Sequence, residues 1–351
     1  MTPPGAGADL SLPVEAALAR LPASLADERA RRSLQAVARA LPLLLATGPL
    51  GLEIRLAGPK GVDLFAAATP GAPAFDALVA ALDRPAAATT WEAPGKARDL
   101  AAALERWSRR EGAIPLVARY LLVEVDAPGN PDRPVAVPSI FLAPRGNRDF
   151  PRPGQPPNAF QTSIDSTVMA TAELSGGWPD PAAARALEAV VAAIPEEGDL
   201  FAIGAMVSRA AGSSIRVAVR RLDADGIHAV LRAADRLREA DTLAECARTA
   251  PAPRQAIAFE VGPGAERRVG LELSPAHYWE QALLSGWPEL LDHLVSHGVA
   301  DADRAAEALR LVDRGGHPLW GLAHVKVSAV DSALLPFSKL YVGLKHRGAA
   351  A

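Results

Sequence analysis

The hydrophobic and polar positions alternate between two periods along the chain, and the alternation recurs about five times. The first helical pattern, 14–46, carries Leu18, Leu21, Leu25, Leu34, Val37, Leu41 and Leu44, mostly at three- or four-residue steps. Two period-2 runs follow it, GLEIRLA (51–57) and GVDLFAAAT (61–69), separated by a Gly58-Pro59-Lys60 turn. Helical patterns at 73–83 and 97–111 then precede strands at 116–126 and 135–143. A third unit pairs a helix from Pro181 to Ile194, with Asp180 ahead of the first-turn proline, with strands at 200–209 and 214–222. The fourth has helical sequence over 225–247 and strands at 254–262 and 267–274. The fifth has helices at 275–297 and 301–314, the latter capped by Asp301, and strands at 322–330 and 337–346. Segment 144–165 is too rich in proline for helix or central strand and is expected to be a long loop or lid; residues 1–12 and 347–351 are expected to be flexible tails.

Repeated α-α-β-β units with strands in adjacent hairpins place the chain in the α+β class. Two packings are open: one roughly ten-stranded antiparallel barrel surrounded by helices, or two α+β domains with open antiparallel sheets. The strand faces favour the barrel. Leu52, Ile54 and Leu56 alternate with Glu53 and Arg55; Ile215, Val217 and Val219 with Arg216 and Arg220; Val269, Leu271 and Leu273 with Glu272 and Ser274; Val325 and Val327 with His324 and Lys326; and Leu340, Val342 and Leu344 with Lys339, Tyr341 and Lys345. Amphipathic helices must bury their apolar stripes, so the apolar strand faces turn outward to meet them and the polar faces line a lumen. Ten strands enclose more space than side chains fill in an eight-stranded barrel, and that chamber is the expected site. The chain is taken as one such domain over 1–351.

Composition narrows the function classes. The 351 residues are 49% hydrophobic with 37 basic and 40 acidic side chains, so no global field favours nucleic acid or an anionic membrane. A single Cys246 excludes a disulfide framework, and no apolar run approaches the ~18 residues of a membrane span. A soluble cytoplasmic protein is expected, with neither nucleic acid nor membrane as partner.

The residues expected to bind ligand are Arg55, Tyr120, Glu124, Arg216, Arg220, Glu272, Lys326, Lys339 and Tyr341. Their guanidinium and ammonium groups suit a carboxylate or diphosphate. Glu53, Glu124, Glu260 and Glu272 suit an indole or amide N–H, or a base with raised pKa. Their mixed signs favour a zwitterionic or peptide ligand over a pure polyanion. His293 and His297, four apart on a helix with His277 upstream, have the spacing of a metal pair but lack the glutamate of HExxH, so an exposed helix face is expected there. Ser163, Ser166 and Ser175 stand in no nucleophile-elbow pattern, and the Gly-rich SGGW and GPGAER stretches lack phosphate-loop or dinucleotide spacing. No catalytic residue, metal or cofactor is assigned, and most of the tryptophans are expected in the core.

The closing segment, a helix pair followed by GLAHVKVSAV and FSKLYVGL, resembles the aromatic prenyltransferase barrel, and its Lys339-x-Tyr341 is similar to the Lys-x-Tyr strand of the indole prenyltransferases. The resemblance implies a lumen holding an aromatic acceptor and an isoprenyl diphosphate shielded by lysine and tyrosine. The strand of a second such motif reads VPSIFLAP, with Ser139 and Phe141 in those places, and Tyr120 and Tyr341 are the only strand tyrosines. ARYLLVEVDAP, PSIFLAPRG and the closing HVKV and KLYVGL are similar to the peptide-binding accessory proteins of crocagin-type ribosomal-peptide pathways. That implies a non-catalytic protein whose partners are a peptide or peptide-like small molecule and other biosynthetic proteins. The alternative is an active, metal-independent aromatic prenyltransferase; whether the chain is an enzyme is left open, with the balance toward binding.

Overall fold

A computed structural model describes residues 8–69, 71–84, 87–109, 111, 118–144, 168–174, 180–207, 214–275, 286–313 and 320–344. Its ten strands are β1 (Leu50–Arg55), β2 (Val62–Ala68), β3 (Ala118–Val125), β4 (Ser139–Pro144), β5 (Asp199–Ala205), β6 (Ile215–Arg220), β7 (Arg254–Val261), β8 (Val269–Ser274), β9 (Trp320–Val330) and β10 (Ala333–Leu344). Each is antiparallel to its neighbours, and β10 returns to β1, so the sheet closes into a barrel. The open two-domain alternative is thereby excluded.

Named helices among the described residues are α1 (Ser11–Leu18), α2 (Glu28–Ala40), α3 (Pro73–Asp83), α4 (Ala87–Thr90), α5 (Pro94–Ser108), α6 (Pro181–Ala192), α7 (Ala224–Ala233), α8 (Leu237–Thr249), α9 (Trp287–Ser296) and α10 (Ala302–Asp313). Their starts follow the expected caps. Asp180 accepts from the Ala182 and Ala183 N–H groups, and Asp301 from those of Asp303 and Arg304. Two long helical patterns are each divided. The 14–46 stretch yields α1, α2 and a 3₁₀ turn, with Pro22 between the helices, and the 225–247 stretch breaks where Asp235 takes φ 57° between α7 and α8. Residues 168–174 are helical, which the periodicity did not indicate.

The apolar strand faces point outward, as their alternation requires. Leu52, Ile54, Leu56, Val217, Val219, Leu271, Leu273, Val325, Val327, Leu340 and Val342 are all buried in one continuous core with the helices. Each such side chain contributes about 1.5–3 kcal/mol of burial. The fifth helix pair also ties down the closing seam: the Asp301 N–H donates to the Leu56 carbonyl and the Ser338 hydroxyl to the Val299 carbonyl.

The N-terminal expectation needs correction at its inner end. Leu10 is wholly buried and donates to the carbonyls of Ala38 and Leu41, and α1 begins at Ser11, so Leu10 is packed against α2 while Leu12 is exposed on the first helical turn. The tail 347–351 and the loop 144–165, apart from Pro144, lie outside the described residues. No helix among the described residues is long and apolar enough to cross a membrane.

Candidate functional site

The polar strand faces meet inside the barrel, and the strand register sorts them into rows. In one row Asp63 of β2 faces Glu53 of β1, Glu53 faces Tyr341 of β10, and Tyr341 faces His324 of β9. Beside it, Lys339 faces Lys326, Lys326 faces Glu272, and Glu272 faces Ala256. A third row, across β5 to β9, consists of Ala202, Ala218, Ala258, Gly270 and Ser328. One stretch of inner wall therefore carries large polar and aromatic groups, while another has almost no side chain.

Glycine sets the spacing of the large groups. A Cβ on Gly51 would fall 2.2 Å from the Phe65 ring, one on Gly204 2.7 Å from the Phe141 ring, and one on Gly270 2.3 Å from Lys326 Cε. Gly51 and Gly204 thus make room for the side chains of their cross-strand partners, and Gly270 for Lys326, two residues from its own partner Ser328.

Glu53 is the hub of the polar row. Its two carboxylate oxygens accept hydrogen bonds from Lys339 Nζ and the Tyr341 hydroxyl. Burial alone would push its pKa up, but the Lys339 charge, these two hydrogen bonds and the charge of Lys326 together hold it at about 2. Asp63 goes the other way. Burial and the neighbouring Glu53 charge raise it to about 7, against the pull of Lys339 3.9 Å away and the Ala127 N–H that donates to it at 2.9 Å. Lys339 is raised, since Glu53 and Asp63 outweigh the cost of burying it. Burial, together with these acidic neighbours, lifts the Tyr341 phenol well above its ordinary value. Its ring stacks on His324 at 4.1 Å between centroids and lies tilted to Phe65 at 5.6 Å.

Lys326 and His324 share Glu272, whose oxygens lie 3.4 Å from Lys326 Nζ and 3.6 Å from His324 Nε2. Burial and the charge of Lys326 lower the His324 pKa against the opposing pull of Glu272, which leaves a neutral imidazole at neutral pH. Despite its burial, the Glu272 pKa is lowered by His324, by the charge and hydrogen bond of Lys326, and by the charge of Arg216. Burial and the Arg216 charge lower the Lys326 pKa. Arg216 NH1 stands 3.9 Å from Glu260, which also accepts from the Ser214 hydroxyl and the Glu266 N–H, each at 3.0 Å. These groups keep some accessible surface inside the barrel: 18% for the Lys339 side chain and 11% for Lys326 and Glu272.

Glu124 of β3 stands between Phe65 and Ser139 in the register. Burial raises its pKa, as do the charges of Glu53 and Asp126, against those of Lys326 and Arg216.

The expected residues thus fall into two groups. Glu124, Arg216, Glu272, Lys326, Lys339 and Tyr341 interact with one another through the lumen, directly or through their fields. Arg220 pairs with Asp199, its Nε donating at 2.8 Å, and lies over the Phe201 ring towards one end of β6. Arg55 ends β1 against Gly61, and Tyr120 stands half-buried opposite Ala143 near the start of β3. Lys345 and His277 lie outside the described residues, as do Ser163, Ser166 and Ser175. Asp63 and Phe65 were missed by the sequence analysis, although the alternation in GVDLFAAAT puts both on the face of Glu53. His293 and His297 do adjoin, with ring centroids 4.1 Å apart, at the solvent-facing end of α9. Among the described residues no group of three metal-ligating side chains forms. Trp91, Trp107 and Trp287 are buried, Trp107 edge-on to Phe75.

No family model matches the chain, and no curated protein matches it. Solved structures do. The chain is similar to 5-dimethylallyltryptophan synthase from Streptomyces coelicolor (14% identity, TM-score 0.55, covering 98% of this chain and 99% of that one). It is also similar to a 6-dimethylallyl tryptophan synthase (13%, TM-score 0.55, 95% and 94%) and to AnaPT from Neosartorya fischeri (14%, TM-score 0.50, 85% and 80%). At such identities the likeness is one of fold: the chain is built on the ten-stranded antiparallel barrel of the aromatic prenyltransferases.

Proposed function

We propose that the barrel interior binds a peptide-like zwitterion, as a non-catalytic accessory protein in the making of a modified ribosomal peptide. The observation that carries this reading is the charge balance of the inner wall. Its central described groups include five carboxylates, Glu53, Asp63, Glu124, Glu260 and Glu272, against three cations, Arg216, Lys326 and Lys339. All three cations already face a carboxylate within 4 Å, and Arg220 is held by Asp199. An isoprenyl diphosphate brings about three negative charges and needs a surplus of uncommitted cations. Seated here, it would lie among carboxylates whose partners it had taken, and an unpaired buried charge costs several kcal/mol. A ligand with both an ammonium and a carboxylate fits the mixed wall, with the small-residue row accommodating its apolar part.

Calorimetry with unprotected tripeptides tests the reading, run beside an assay for product from dimethylallyl diphosphate and L-tryptophan. Saturable peptide binding without product supports it; product formation without peptide binding overturns it.

One observation favours a second reading, aromatic prenyl transfer. Glu53 is ionised inside the barrel and near a tyrosine and a lysine, the set that would orient an indole N–H and shield a diphosphate, and two solved structures of similar fold bear the names of dimethylallyltryptophan synthases. On that reading Lys339→Ala abolishes turnover.

A further inference from the structure

We propose that Glu124 is the anchor for the ligand's ammonium group, and that a primary or N-terminal amine is the feature the lumen selects. The inference rests on the zwitterion reading and assigns one residue within it.

The geometry singles out Glu124 by elimination. Glu53 uses both oxygens on Lys339 and Tyr341. Asp63 accepts from the Ala127 N–H, Glu260 from Ser214 and the Glu266 N–H, and Glu272 is shared by Lys326 and His324. Glu124 is the one central carboxyl with no hydrogen bond or ion pair among the described residues, and its side chain is not sealed from the interior space. A carboxyl this far from bulk solvent, between Phe65 and Ser139, is costly to leave without a donor. An incoming ammonium removes that cost, and Phe65, opposite Glu124 in the register, is the nearest aromatic partner for a cation there. The ligand's carboxylate then falls to Lys326 or Arg216, whose carboxylate partners stand 3.4 and 3.9 Å away.

The charged groups facing Glu124 fix the pH behaviour. Glu53 of β1, Asp126 beyond the end of β3, and Asp63 of β2 when ionised disfavour its charged form; Lys326 of β9 and Arg216 of β6 favour it; β4 presents only Ser139 beside it. The balance leaves the empty site with a raised pKa. Binding an ammonium favours the ionised form, so whatever fraction of Glu124 is protonated in the empty site gives up its proton to solvent as the cation arrives, and affinity rises with pH through the empty-site titration until the ligand's α-amine deprotonates near about 7.7.

The test uses phenylalanylglycine and its N-acetyl derivative with the full chain, by calorimetry in two buffers of different ionisation enthalpy. The free-amine dipeptide is expected to bind the wild type at least about tenfold more tightly than the acetylated one, as a charge-assisted hydrogen bond requires, and to release a proton. Glu124→Gln should bring the free-amine affinity down to that of the acetylated form and abolish the release. Equal affinity of the wild type for the two probes, which needs no variant, overturns the assignment while leaving peptide binding intact. Tight free-amine binding undiminished in Glu124→Gln does the same. Failure of the wild type to bind either dipeptide overturns both this inference and the zwitterion reading.

Discussion

Two stretches of the same inner wall are built on opposite plans. On β2, β1, β10 and β9, the row Asp63, Glu53, Tyr341 and His324 fills the interior with large polar groups, the first three hydrogen-bonded and His324 stacked on Tyr341. Across β5 to β9, the row Ala202, Ala218, Ala258, Gly270 and Ser328 adds little side-chain bulk, and Ala202, Ala258 and Ser328 are themselves buried. Closed sheets of this width cannot be filled by side chains alone, so something must decide where the space goes. Here the polar row fixes charges in place by mutual pairing, and the small row lets neighbouring side chains such as Lys326 lie close against the wall. The difference teaches that the polar row is a matter of stability and the small row of occupancy, and each can be perturbed separately.

The largest effect is expected from Glu53→Ala. It strands Lys339 and the Tyr341 hydroxyl in a buried setting, and denaturant unfolding should show a loss of about 3–5 kcal/mol. Ala258→Phe attacks the other row: stability should fall by only about 1–3 kcal/mol, the usual cost of overpacking, while binding of phenylalanylglycine is lost altogether. If Ala258→Phe destabilises as much as Glu53→Ala and leaves binding intact, the contrast between the rows is broken.

Asp63→Asn sharpens the picture within the polar row. The folded-state pKa of Asp63 is raised from 3.8 to about 7, so the folded protein prefers the protonated side chain, and a penalty grows as pH rises above 3.8 and levels off above about 7. Asparagine mimics the protonated form and can still accept from the Ala127 N–H. Melting temperatures should therefore show a stabilisation at pH 8 that vanishes at pH 4. The smallest effect belongs outside both rows. Arg32→Ala breaks the exposed Arg32–Asp132 pair at 3.2 Å and should change unfolding free energy by no more than about 0.5 kcal/mol.

Much of this was legible from alternation alone. Period 2 in GLEIRLA, IRVAVR and KLYVGL fixed which side chains share a face, because a strand cannot reorder its own residues. The break at Asp235 was not visible, since the residues around it keep helical spacing while one backbone position turns left-handed. Nor was the pairing of Glu53 with Lys339 and Tyr341, which depends on the register between the first strand and the last. The small row was hidden for a further reason: alanine and glycine on the strands look like absent signal, and only the cross-strand alignment makes them a surface. Asp63, flanked by Val62 and Leu64, was readable by the rule that found Glu53.

The β1–β10 seam carries a consequence for how the protein is made. Glu53 emerges from the ribosome nearly three hundred residues before Lys339 and Tyr341, so the central network cannot exist in a nascent chain until β10 has been made. Until then β1 presents an unpaired edge, open to pairing with other chains, and a product truncated before β10 should be prone to self-association and bereft of its polar hub.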